Sequence, residues 1–253
     1  MRTPPSVASL LRRDPADRQG DRPRGTLTYC SNVDFGDSWA EARRALEGAI
    51  ADMRRRVAPN GRLGIGVRFS ARTLRELLAP GVRAELEFVL ARDQMYVFKI
   101  DARDERPDWL EHARFAYTCR AAELLATLVP EGLVGTISTV PGALGDRAHM
   151  RGARNATACR LLAAAAHLAD LRARTGRRIV VSIEPEPGGM IEGAFDTVTF
   201  FRDHVFHGEA LRGARIDEQT ARAHIGVRLI AAGALATLER EGITVTRQTA
   251  EAA

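Results

Sequence analysis

Two hydrophobic patterns take turns along the chain. Short apolar runs rich in β-branched residues fall at 26–33 (TLTYCSNV), 63–69 (LGIGVRF), 95–100 (MYVFKI), 133–140 (LVGTISTV) and 179–183 (IVVSI). Between them, apolar positions recur near the 3.6-residue helical period over about 39–57, 71–91, 111–129 and 151–174. Strand-length runs that stay apolar, without alternation, are those of strands buried on both faces. Five such strands, the first four each followed by a helical segment, predict parallel pairing through right-handed crossovers.

Turn chemistry marks the same boundaries. Ser38 and Glu41 have the spacing of a capping box ahead of the first helix, and Ser70 is placed to cap the second. Pro59-Asn60-Gly61, Pro80-Gly81, Pro130-Glu131-Gly132 and Thr175-Gly176 stop or interrupt helices. Past residue 192 the pattern weakens. Helical segments are expected at 196–206, 216–222 and 228–241, a sixth strand starts at 224–227, and 243–245 reads as a short strand before a tail at 247–253. Eight strands cannot be counted. No G-x-G-x-x-G follows the first strand and no P-loop occurs, which favours a barrel over an open nucleotide-binding sheet. The expected fold is α/β, of (β/α) TIM-barrel type, incomplete at about five to six of eight strands. It forms one domain over 25–253, preceded by a proline-rich, charged tail at 1–24 that reads as disordered.

Composition narrows the function classes. Apolar content of 45% and charged content of 27% are those of a soluble globular chain. No apolar run approaches the roughly 20 residues that span a bilayer, and no signal segment is visible, so a cytoplasmic location without membrane insertion is expected. Cys30, Cys119 and Cys159 are far apart and form no C-x-x-C pair, so buried free thiols are expected. The net charge of +5 is almost all arginine, Lys99 being the sole lysine, and no basic stripe interleaves with aromatics. Nucleic acid is therefore not an expected partner.

The chemistry concentrates at 177–192 (RRIVVSIEPEPGGMIE), where a buried strand ends in Glu184 and Glu186, each followed by proline. Parallel α/β barrels keep their functional groups at the C-terminal ends of the strands. The plain alternative is a solvated turn. At the other strand ends, Asn32 and Asp34 can bind substrate or metal, or form an Asx turn. Arg68 can meet an anionic substrate or Glu184 across the interior. Lys99 suits a rim salt bridge better than a Schiff base. Thr136, Ser138 and Thr139 offer hydroxyls to a polyol or a cap. Among the histidines, His149 is best placed to approach the strand ends, and His204 with His207 forms a spaced pair at a helix end. No H-E-x-x-H and no G-x-S-x-G is present.

TLTYCSNVDFGDSW, LGIGVRFSARTLREL, RPDWLEHARFAYTCRAAELLATLVPEG with GTISTVPG, and VVSIEPEPGGMIE, in this order, resemble the EboE-type metabolite traffic proteins of the xylose-isomerase-like TIM-barrel superfamily. The resemblance runs over about 26–227 and is most specific in SIEPEPG. It implies a (β/α)₈ barrel, a divalent metal at the strand ends with Glu184 as a ligand, and a sugar- or polyol-like substrate, with isomerase- or epimerase-type chemistry where catalytic. Glu186, Asp34, Asn32 and Arg68 are the candidate contacts to a small polar metabolite. The sequence also departs from that family. Asp34 stands where a histidine is usual, residues 101–106 (DARDER) replace a histidine-bearing insert, and Gly226-Val227 leads into Arg228 rather than an acid or histidine. A barrel short of strands also leaves open edges, through which a homo-oligomer or a protein partner is the expected association.

Overall fold

The structure, a computed structural model, describes residues 27–30, 35–102, 107–228, 232–246 and 251–252. The expected tail at 1–24 lies outside the described residues, as do Asn32 and Asp34. Seven strands follow one another in chain order: β1 (Leu27–Cys30), β2 (Leu63–Val67), β3 (Met95–Ala102), β4 (Leu133–Thr139), β5 (Ile179–Ile183), β6 (Ile225–Arg228) and β7 (Thr244–Thr246). Each pairs parallel with the next. A doubly wound sheet reverses its order at a switch point, whereas this one never reverses. The chain is an α/β protein with the strand order of a TIM barrel. Among the described residues β1 and β7 each have one neighbour, so the sheet is not closed.

The helices are α1 (Trp39–Ala45), α2 (Ala51–Val57), α3 (Ala71–Leu77), α4 (Pro80–Arg92), α5 (His112–Leu128), α6 (Ala153–Thr175), α7 (Ala194–Phe200), α8 (Gly208–Ala214), α9 (Glu218–His224) and α10 (Leu235–Arg240). The expected helix over 39–57 is continuous but carries one π turn, Leu46–Ile50, between α1 and α2. Ser38 accepts from the Glu41 amide, and Glu41 reaches back to the Asp37 amide at 2.7 Å. Ser70 accepts from the Thr73 amide at 3.0 Å. Gly176, at φ 71°, closes α6 by returning its N–H to the Arg172 carbonyl. The short α8 has no counterpart in the sequence pattern. The tail expected at 247–253 includes a strand, β8 (Glu251–Ala252), antiparallel to Leu133 and Val134 of β4.

The sheet has two unlike faces. Ile100, Ile137, Val181 and Ile225 are neighbours in register and fully buried, and they join the cluster that includes Leu124 and Leu125 of α5 and Leu161 of α6. One residue further along, the register row is Asp101, Ser138, Ser182, Gly226 and Thr244. Successive residues point to opposite faces. The helix-covered face is therefore apolar and the other, towards the strand C-termini, is polar.

The cysteines are not all buried. Cys119 is half-buried and Cys159 exposed, because α6 places Cys159 away from its packed side. Burial does raise the Cys119 thiol to about 11.

Candidate functional site

The polar face is built from alternate positions of consecutive strands. Its N-terminal end is closed by Tyr96, which lies across Gly64. A Cβ at Gly64 would sit 2.6 Å from the Tyr96 hydroxyl, so only glycine leaves room. Next along β3 is an irregularity. Ile65 pairs with Val97 but Gly66 pairs with Lys99, leaving Phe98 without a partner on β2. This bulge changes the parity of the strand. Simple alternation would send Lys99 with Met95 and Val97 to the helix-covered side, and the extra residue returns it to the polar face.

There Lys99, only 4% exposed, donates from Nζ to Glu184 Oε1 at 3.3 Å. Glu184 follows β5 directly and is also buried, its amide held by the Thr139 carbonyl at 2.9 Å. Its second oxygen, Oε2, accepts from Arg228 at 2.5 Å. Arg228 ends β6, so groups from β3, β5 and β6 meet at one carboxylate. Below them Ser182 and Thr246 share a hydrogen bond of 2.5 Å across β5 and β7. The buried hydroxyls of Ser138 and Tyr96 have no hydrogen-bond partner among the described residues.

The other expected contacts are arranged differently. Arg68 is exposed and pairs with Asp101 of β3 at 3.2 Å rather than with Glu184. Lys99 forms the expected salt bridge, but buried in the sheet interior instead of at the rim. Glu186 is exposed, and its backbone closes the turn with Ile191 and Gly189. Thr139 points to the helix side, where it accepts from the Trp109 indole at 2.8 Å, leaving Thr136 and Ser138 as the β4 hydroxyls on the polar face. The sequence pattern alone marks Arg228 only as the place of a missing acid or histidine. Its position two residues after Gly226, on the same face as Ser182 and Glu184, was the available signal.

The rim is braced by ion pairs and interlocked loops. Arg147 makes a two-pronged contact to buried Asp108, at 2.6 and 2.9 Å, which raises the Arg147 pKa. Gly145 and Met190 donate to Gly188 and Ala143 across the exit loops of β4 and β5. Beside these loops lies an open groove of about 610 Å³ lined by His149, Arg154, Asn155, Glu192, Asp196 and His204. Lys99, Glu184 and Arg228 do not line it, so His149 belongs to this groove and not to the Glu184 cluster. His204 bonds Asn155 at 2.6 Å, and burial holds its pKa below the ordinary histidine value.

A divalent metal does not fit the described donors at Glu184. Hard cations need several oxygen ligands converging from different strands. Here both carboxylate oxygens are already bound by cations. A divalent ion about 4 Å from a single positive charge is repelled by about 8 kcal/mol at an effective dielectric constant of about 20. Among the described residues no group of three or more His, Cys, Asp or Glu side chains is placed to hold a metal ion.

Comparison with known proteins gives little further guidance. No protein-family model matches the sequence, and no curated protein matches it. Among solved structures the chain is similar to a xylose isomerase-like TIM barrel protein from Mycobacterium smegmatis, solved in complex with magnesium, at 18% identity and a TM-score of 0.49. The match covers 76% of this chain and 59% of that one. No helix among the described residues is long and apolar enough to cross a membrane.

Proposed function

We propose that the chain binds a small polar metabolite on the polar sheet face, at the C-terminal ends of β3 to β6, without a bound divalent metal. The observation that carries this reading is the occupation of both Glu184 oxygens by Lys99 and Arg228. In the xylose-isomerase-like plan implied by the EboE-type motifs, Glu184 would be a metal ligand. Here it orients two cations instead. Buried polar groups are costly unless satisfied, and Ser138 leaves a hydroxyl open beside this cluster. A hydroxylated ligand would supply its partner. The metabolite-traffic role rests on the motif resemblance alone, and a metal-assisted isomerase or epimerase reaction has no support from the described donors.

A second reading, a non-catalytic assembly component, is favoured by the single-neighbour strands β1 and β7. It is compatible with metabolite binding.

Metal content and thermal shift test the first reading. Magnesium, manganese and zinc should stabilise the purified protein no more than a monovalent salt of equal ionic strength, while a panel of small hydroxylated metabolites should include stabilisers. Stoichiometric metal that is lost in Glu184→Gln would sink it.

A further inference from the structure

We infer that the ligand of the polar face is an anion, a carboxylate or phosphate monoester carried on a hydroxylated small molecule and held between Lys99 and Arg228. The inference rests on the metal-free reading above and adds the ligand's charge. In the cluster itself two cations, Lys99 and Arg228, share one carboxylate, Glu184. One positive charge is in excess. Charges in so sheltered a place persist when paired or hydrogen-bonded.

Donor geometry agrees with that count. A lysine ammonium has three donors, and Lys99 spends one of them, on Glu184, among the described residues. Its remaining protons lie in a buried setting where an acceptor is needed. Arg228 gives one nitrogen to Glu184 and stays partly open, with 28% of its side chain exposed. Glu184 thus serves as a brace that fixes two cations side by side. Ser138, two residues further along the neighbouring strand than the register partner of Lys99 and on the same face, adds an unpartnered hydroxyl.

Residue choice points the same way. Positive charge elsewhere in the chain is entirely arginine, so the lysine at 99 is the exception. A compact ammonium fits a narrow, buried place and aims three donors at separate acceptors, whereas a planar guanidinium demands a fork-shaped partner. The bulge that leaves Phe98 unpaired on β2 turns that lysine to the polar face.

A single lysine also makes the test direct. In protein labelled with ¹⁵N-lysine, the side-chain ammonium gives one resonance, which is followed while gluconate, glucose 6-phosphate and sorbitol are titrated separately. Either anion should move the Lys99 resonance saturably, sorbitol should not, and Arg228→Gln should weaken anion binding at least tenfold. The stronger of the two anions identifies carboxylate or phosphate as the preferred group. Sorbitol binding as tightly as both anions would overturn the charge inference while leaving metabolite binding intact. Silence from all three probes at millimolar concentration overturns both. The wild-type titrations do not depend on any variant folding, and Arg228→Lys, which keeps the charge, should retain most of the affinity if Arg228→Gln proves unstable.

Discussion

Glu184 is the residue on which the site turns, and its energetics are those of a buried ion cluster rather than a surface salt bridge. Its side chain is 9% exposed and that of Lys99 is 5% exposed. Removing one partner of such a cluster leaves a desolvated charge without compensation, typically at about 3–5 kcal/mol. Glu184→Gln should therefore lower the unfolding free energy by about that amount, measured by urea denaturation. Replacing Lys99, Glu184 and Arg228 together by Met, Leu and Met should cost far less, because apolar side chains of similar volume avoid the desolvation penalty. If the single and triple variants were equally unstable, the cluster would not be the paired arrangement described. In the sequence, Glu184 is recognisable because it ends a buried strand and is followed, like Glu186, by proline. Its partners were harder to see. Lys99 depends on a bulge, and Arg228 looked like the loss of a ligand when it supplies a cation.

At the scale of elements, β1 to β6 were legible because their apolar runs and turn residues agree. Caps at Ser38 and Ser70 formed as their spacing predicted. Two features were not legible, for distinct physical reasons. The bulge in β3 is set by how two strands align, and a period read along one strand holds no information about its partner. The π turns at Leu46–Ile50 and Phe201–Val205 add a residue to a helix without changing its composition. The short β7, Thr244–Thr246, by contrast lies within one residue of the strand expected at 243–245. What seats β7 is visible only in three dimensions. A Cβ on Gly226 would lie 2.5 Å from the Thr244 carbonyl oxygen, so β6 and β7 approach as closely as they do only because residue 226 is glycine. Gly226→Ala should force the two strands apart at a cost of about 1–3 kcal/mol, the usual range for overpacking. Hydrogen exchange at residues 244–246 should accelerate more than at 179–183. Unchanged exchange and an unchanged urea midpoint would mean that β7 does not lie against β6 in solution.

For the molecule as a whole, a sheet left open among the described residues predicts association. A closed barrel abolishes edges, whereas β1 and β7 each present one unpaired side among the described residues. Unpaired strands are templates for another chain, yet natural edges are blunted when they are short, and these have four and three residues. The two effects compete, and strand length sets the outcome. So few residues can form only a handful of inter-chain hydrogen bonds and cover little surface, and interfaces below about 1,200 Å² belong to weak, transient encounters. Reversible, concentration-dependent dimerisation is therefore expected rather than an obligate oligomer. In light scattering, the mass should stay near the monomer value of 27.6 kDa at about 1 μM and rise as concentration approaches a few hundred micromolar. A lysine on an edge strand opposes such pairing, so Thr28→Lys, at a half-buried position of β1, should hold the protein monomeric over that range if β1 is the edge used. A wild-type mass that never leaves the monomer value would show that neither edge is available for pairing.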